Sequence, residues 1–372
     1  MLAARASVFV LVLLLSSAAS FGQGKQPPKP AEDEVIRIDT ELVEVPLAIT
    51  DRAGRPILDL KKSNFTVFED GKPQDIAEFS TASAPFEVVL LLDTSGSARS
   101  ELQMIQRAAQ NFINSLRPGD RVAIVAFRTD ITDQRAMPAT DVLSPLTNDR
   151  QVLLDGLERL ATSNGTPYYD SLLKIAGTFF ASAAAPEFKG RRALVALTDG
   201  VDSTSLGDFD EVRERFGRAG VTNYFIKVDT REFFEQNLLG DCQIAIRFST
   251  AQIQRYFRRF APNSKVETTS DFCRLGDFER LAISKNLYEL AAEEMNALAK
   301  NSGGKVFPVA DLSSARQAFK SVADEIGTKY SLGYYSSNGK RDGTYRAIKV
   351  EVKGLPSGTQ VRAREGYTAP KN

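Results

Sequence analysis

Hydrophobic and polar positions do not keep one period along this chain. Between residues 35 and 83 apolar and polar side chains roughly alternate: in Val35-Ile36-Arg37-Ile38, in Leu42 to Ile49, in Phe65-Thr66-Val67-Phe68-Glu69 and in Asp75 to Phe79. A period of two suits a strand with one buried face, so four short antiparallel strands are predicted. Asp51 to Pro56 reads as a turn, and Asp70-Gly71 as the turn of a hairpin between the last two strands.

From residue 84 the pattern changes. Phe86 to Leu92 is a nearly unbroken apolar run ending at Asp93. Such runs suit a strand covered on both faces, as in a parallel sheet between helices. Val122–Phe127, Ala193–Leu197, Asn223–Val228 and Lys305–Val309 repeat the theme. Between them lie segments with apolar spacings of three and four: 102–116, 149–160, 168–183, 208–218, 287–299 and 312–326. This alternation predicts an α/β fold, a doubly wound, mostly parallel, Rossmann-like sheet spanning residues 84–328. Residues 329–370 return to strand character at Tyr330–Tyr335, Tyr345–Val352 and Gln360–Ala363. Neither terminal set of strands makes a stable sheet alone. The economical arrangement is one small β-sandwich, built from 35–83 and 329–370, with the α/β domain inserted between its halves.

Residues 1–21 read as a secretory signal: Arg5, the apolar run Val8–Leu15 and the small residues Ser17-Ala18-Ala19-Ser20. An uncleaved anchor is the alternative. Residues 22–34, rich in proline and charge, read as a linker. No other stretch is long and apolar enough for a bilayer span, so a secreted or periplasmic protein is expected. In that oxidising setting the two cysteines, Cys242 and Cys273, are expected to pair; two free thiols are the alternative.

Charge and composition then exclude function classes. Lys plus Arg and Asp plus Glu are 47 each, which argues against nucleic acid as the main partner. There is no histidine. That removes Ser-His-Asp and Cys-His catalysis and every histidine-containing metal site. No cofactor fingerprint is present, and Ser95 has no base beyond carboxylates. The expectation is a protein that is not an enzyme.

Oxygen ligands remain. Asp93-Thr94-Ser95-Gly96-Ser97 lies where a buried strand gives way to a helix, at the carboxyl edge where open α/β sheets bind ligands. Residues two apart in an extended turn project to one side, so Asp93, Ser95 and Ser97 can converge. Thr166 opens a helix after Asn164-Gly165, and Asp199 follows the apolar strand in Thr198-Asp199-Gly200. Two carboxylates and three hydroxyls are hard ligands of low charge, suited to Mg²⁺ or Mn²⁺ rather than to a carboxylate-rich Ca²⁺ cage. Ordinary caps and turns are the other reading of these residues.

Asp-x-Ser-x-Ser, a Thr at a Gly-Thr helix start and Thr-Asp-Gly after an apolar strand, in this order, resemble the metal-ion-dependent adhesion site (MIDAS) of von Willebrand factor type A (VWA) domains. That resemblance implies direct ligation by Ser95, Ser97 and Thr166, ligation often through water by Asp93 and Asp199, and capture of a carboxylate on a protein partner. The flanks resemble a secreted bacterial VWFA-related family of acidobacterial type. The matching segments are Ala48-Ile49-Thr50-Asp51 with Gly54, Phe65 to Gly71, Tyr330 to Tyr335 and Arg364-Glu365-Gly366-Tyr367. Members of that family have a shorter connection where this chain carries 231–286. The insertion holds both cysteines. It also has an apolar helical face (Ile253, Tyr256, Phe257, Phe260) and a basic one (Arg255, Arg258, Arg259). It reads either as a small packed subdomain or as a surface whose arginines touch an acidic partner. The leading function is metal-dependent protein binding; the alternative is a scaffold component whose metal only stabilises the fold.

Overall fold

The computed structural model describes residues 42–53, 55–81, 85–95, 102–132, 135–181, 191–262 and 271–371. The signal segment 1–21, the linker 22–34, the strand Val35–Ile38 and the candidate ligand Ser97 lie outside the described residues.

The centre is a six-stranded sheet. Its strands are β5 (Phe86–Leu92), β6 (Arg121–Thr132), β7 (Arg135–Thr147), β8 (Arg191–Thr198), β9 (Thr222–Val228) and β10 (Lys305–Val309), in the order β10-β9-β8-β5-β6-β7. All neighbours run parallel except the β6–β7 pair. Both faces of β5 are buried. Val88, Leu90 and Leu92 point into one apolar cluster with α1 (Leu102–Ser115), α2 (Arg150–Glu158) and α8 (Ala315–Ile326). Val89 and Leu91 point into another with α3 (Tyr168–Phe179), α4 (Phe209–Ala219) and the end of α7 (Asp277–Asn301). That two-sided burial is why β5 shows no alternation in sequence. Strand β7 was not expected. It is an edge strand interrupted by Pro138 and Pro145, which a central strand does not tolerate.

Strands from the two chain ends interleave in two antiparallel sheets. The first has the order β13 (Gln360–Ala363), β1 (Leu42–Thr50), β11 (Tyr330–Tyr335), β4 (Ile76–Ser80). The second runs β14 (Gly366–Thr368), β12 (Tyr345–Val352), β2 (Phe65–Glu69), β3 (Lys72–Gln74). Both face one cluster containing Val45, Leu47, Val67, Tyr330, Leu332, Tyr334 and Ile348.

The hairpin expected between 65–69 and 75–79 needs correction. Asp70 and Gly71, at φ 47° and 79°, do make a tight turn, but the return strand stops at Gln74. The chain then crosses to the other sheet, where β4 pairs with β11. The crossing sets the Phe79 ring 5.7 Å from Phe65 and 6.0 Å from Tyr330, inside the shared core.

The helix expected over residues 287–299 begins earlier. Helix α7 is continuous from Asp277. Its first half buries Ile283 and Leu287 in the insertion's own cluster, with Leu238, Phe248, Ile253 and Phe272. Its second half buries Met295, Leu298 and Ala299 against the sheet. One helix serving two cores has no single apolar stripe, so its start was illegible. Within the insertion lie α5 (Arg231–Leu238) and α6 (Thr250–Phe260). Cys242 and Cys273 form a disulfide.

Candidate metal centre

Parallel pairing of β5 with β8 brings two strand ends side by side. Leu92 registers with Leu197, and the Asp93 amide donates to the Leu197 carbonyl at 2.9 Å, one residue past the end of β5. Asp93 and Asp199 therefore leave adjacent strands at the same edge. Both are buried, at 6% and 8% exposure, as are Ser95 and Thr166.

Each carboxylate is held by its own loop. Asp93 Oδ1 accepts from the Ser95 amide at 3.0 Å, and Oδ2 from the Thr198 hydroxyl at 2.6 Å. Thr198 Oγ1 in turn accepts from the Gly200 amide at 2.9 Å. Gly200 has φ 76°, and a Cβ there would lie 2.8 Å from Met295 Cε, so this turn requires glycine. Asp199 Oδ1 accepts from the Val201 amide at 2.9 Å, and Oδ2 from the Thr230 hydroxyl. The loop bearing Thr166 is laced to its neighbours. The Ser163 amide donates to the Thr94 carbonyl at 2.8 Å, and the Thr94 hydroxyl to the Phe127 carbonyl at 2.7 Å. The Thr166 amide donates to Ser203 Oγ at 2.8 Å, and the Ser203 amide returns to the Thr166 carbonyl at 3.0 Å.

Two buried carboxylates at one edge are electrostatically costly. Burial raises the pKa of Asp93. Asp199 is pushed up to about 7 by burial and then by the Asp93 charge, while Lys227 is the smallest of the influences acting on it. Tyr168, also buried, is pushed far up by burial and by the carboxylates of Glu294, Asp93, Asp202 and Asp199. Among the described residues its hydroxyl and that of Thr204 have no hydrogen-bond partner, unusual for buried polar atoms. Among the described residues no group of three or more His, Cys, Asp and Glu is gathered for a metal. This edge instead offers two carboxylates with the hydroxyls of Ser95 and Thr166. A divalent cation would fit such a set, because it would offset the repulsion between the two carboxylates.

Residues 88–201 match the family described as von Willebrand factor type A domain. The chain contains a VWA domain. The matched span includes Asp93, Ser95, Thr166 and Asp199. Among curated proteins there is no match. Solved structures to which the chain is similar at low identity include the following three. A von Willebrand factor type A protein from Catenulispora acidiphila is 11% identical, over 90% of this chain and 75% of that one, at TM-score 0.40. An aerotolerance-related membrane protein from Bacteroides fragilis is 18% identical, over 65% and 98%, at 0.37. The three N-terminal domains of the type V pili tip protein Mfa5 from Porphyromonas gingivalis are 18% identical, over 44% and 27%, at 0.26.

Of the three insertion arginines, Arg258 and Arg259 are exposed. Arg255 is not a free surface group, which corrects the expectation for it. Its guanidinium donates to Asp202 Oδ1 at 3.0 Å and to the Asp202 carbonyl at 3.3 Å, and lies 4.6 Å from the centre of the Tyr169 ring. A buried carboxylate beside the Asp199 loop needs a counter-charge, and Arg255 supplies it. Sequence reasoning missed Thr198, Ser203 and Thr230 as well. Only Thr198 carried a signal, by its place before Asp199.

Proposed function

We propose that the VWA domain is a metal-dependent protein-binding module. Asp93, Ser95, Ser97, Thr166 and Asp199 would hold Mg²⁺ or Mn²⁺. A bound ion supplies a Lewis-acidic position open to an oxygen of a partner's Asp or Glu. The observation that carries the reading is the pair of buried carboxylates, Asp93 and Asp199, both with raised pKa and neither well compensated. The chain's own residues orient that pair. Thr198, Val201 and Thr230 each direct a hydrogen bond at a carboxylate, and Ser95 directs its amide and its side chain at Asp93, which fixes where the free lone pairs point.

We read the protein as non-catalytic, because a sequence without histidine leaves Ser95 without an activating base. An exported location, secreted or periplasmic, is supported by the Cys242–Cys273 disulfide. Among the described residues no helix is long and apolar enough to cross a membrane.

Calorimetric titration with Mg²⁺ and Mn²⁺ tests the site. Wild-type protein is expected to bind one ion, and Asp93→Ala or Asp199→Ala to bind none while keeping the wild-type circular dichroism spectrum. Unchanged binding in both variants refutes the site. A partner retained in Mg²⁺ must be released by EDTA; retention in EDTA with the fold intact supports the scaffold reading instead.

A further inference from the structure

The insertion and the residues that flank it touch the Asp199 loop at four residues, Asp199, Val201, Asp202 and Ser203. At its start, the Thr230 hydroxyl donates to Asp199 Oδ2 and pairs with the Tyr288 hydroxyl at 2.8 Å. Val201 packs on the insertion's apolar cluster, beside Leu238, Phe248 and Ile253. Arg255 of α6 grips Asp202 through both its carboxylate and its carbonyl. Ser249, the N-cap of α6, donates its hydroxyl to the Ser203 carbonyl. Ser203 then holds the Thr166 backbone from both sides. The chain of contacts runs from α6 through the 199–203 loop to two candidate ligands on different elements.

Asp202 is the hub. Its side chain has no exposure. Its carboxylate accepts from the Tyr169 amide at 3.1 Å, the Ser205 amide at 3.2 Å and the Ser205 hydroxyl, besides Arg255. The same residue thus fixes the first turn of α3 at Tyr169, three residues after Thr166, and the course of the Asp199 loop. Among the described residues Arg255 is the cation paired with it. Its guanidinium is held in turn by the Tyr169 ring, whose hydroxyl donates to Glu294 of α7. Charge, cap and apolar packing all converge on one loop, which a subdomain merely resting on the sheet would not need.

We propose that Arg255 is a positioning residue for the metal centre, and that the insertion is through it a working part of that centre. This rests on the metal-binding reading above. Arg255 touches no metal ligand itself. It holds Asp202, and Asp202 holds the loop geometry that lets Asp199 and Thr166 face one ion. A replacement of the insertion by a short linker therefore weakens metal binding as well as partner binding.

The test compares wild type, Arg255→Met, Arg255→Lys and the double variant Asp202→Asn/Arg255→Met. The double variant removes both members of the Arg255–Asp202 pair, so it keeps folding if Arg255→Met alone does not. Two readouts are taken on the full chain: amide hydrogen exchange of residues 199–205 in EDTA, and Mn²⁺ affinity from the paramagnetic resonance signal of free Mn²⁺. Arg255→Met and the double variant are expected to exchange this loop at least tenfold faster and to bind Mn²⁺ at least tenfold more weakly, with Arg255→Lys in between. Wild-type Mn²⁺ affinity or unchanged loop exchange in the double variant overturns the positioning role alone. Wild-type protein that binds no Mn²⁺ overturns the metal reading, and the positioning role with it.

Discussion

Asp199→Asn should make the metal-free protein more stable at neutral pH, although it destroys the site. Asparagine has the shape of aspartate. Its carbonyl can accept from the Val201 amide, and its NH₂ can donate to the Thr230 hydroxyl, so both contacts of Asp199 survive. What disappears is the cost of ionising a buried carboxylate next to Asp93. The folded pKa of Asp199 is about 7, against 3.8 for a free side chain. The folded state therefore holds this proton longer than the unfolded one. Its contribution to stability is fully present below pH 4, falls as pH rises towards 7 and is flat above. Three pH units at about 1.4 kcal/mol each make the loss roughly 4 kcal/mol. In EDTA at pH 8 the Asn variant should melt several degrees above wild type. It should also show a shallower decline between pH 4 and 7, the remainder belonging to Asp93. Mg²⁺ at a hundredfold over its dissociation constant should raise wild-type stability by about 2.7 kcal/mol and leave the variant unmoved. Thermal melts across pH, with and without Mg²⁺, read all three. An Asn variant that melts below wild type in EDTA at pH 8 would refute the account of the buried pair.

Two further outcomes concern the frame around the site. Lys329 is fully buried. Its ammonium donates to the Gly303 carbonyl, and burial lowers its pKa to about 7. The unfolded state then binds more protons between pH 7 and 10, so this group adds stability as pH rises across that window; Lys329→Met should remove a rise of a few kcal/mol seen by urea denaturation at pH 7 and 9.5. Deleting residues 329–372 removes β11, which lies between β1 and β4, and takes Tyr330, Leu332 and Tyr334 out of the shared core. The truncated chain should aggregate or be digested by protease, and a soluble, resistant product would show that the first strands stand alone.

The insertion shows where reading by residue type runs out. Arg255, Arg258 and Arg259 fall within five residues on one helix, and a basic face was the natural reading. Helical phase does not separate them: at spacings of three and four they share a side of the helix. Arg255 is half-buried because its guanidinium reaches Asp202, whereas Arg258 and Arg259 are exposed. Nothing local marks that difference, because the partner of Arg255 is Asp202, 53 positions away.

Much of this molecule was legible from its amino acids alone. Burial on two faces forces apolar runs such as Phe86–Leu92, and burial on one face forces alternation, so the α/β centre and the strand-rich ends declared themselves by period. The order Asp93-Thr94-Ser95, Thr166, Thr198-Asp199 was also readable, since strand ends in a parallel sheet must present their loops at one edge. Other features were decided by the folded chain. Crossing between sheets at Asp75, the start of α7 at Asp277 and the edge strand β7 depend on which surface waits opposite each segment. A local pattern does not encode that. The same holds for the pKa of Asp199, which needs both its burial and its neighbour Asp93. Sequence spacing sets which groups can reach an edge; only the tertiary contacts set the distances and the dielectric in which their charges act.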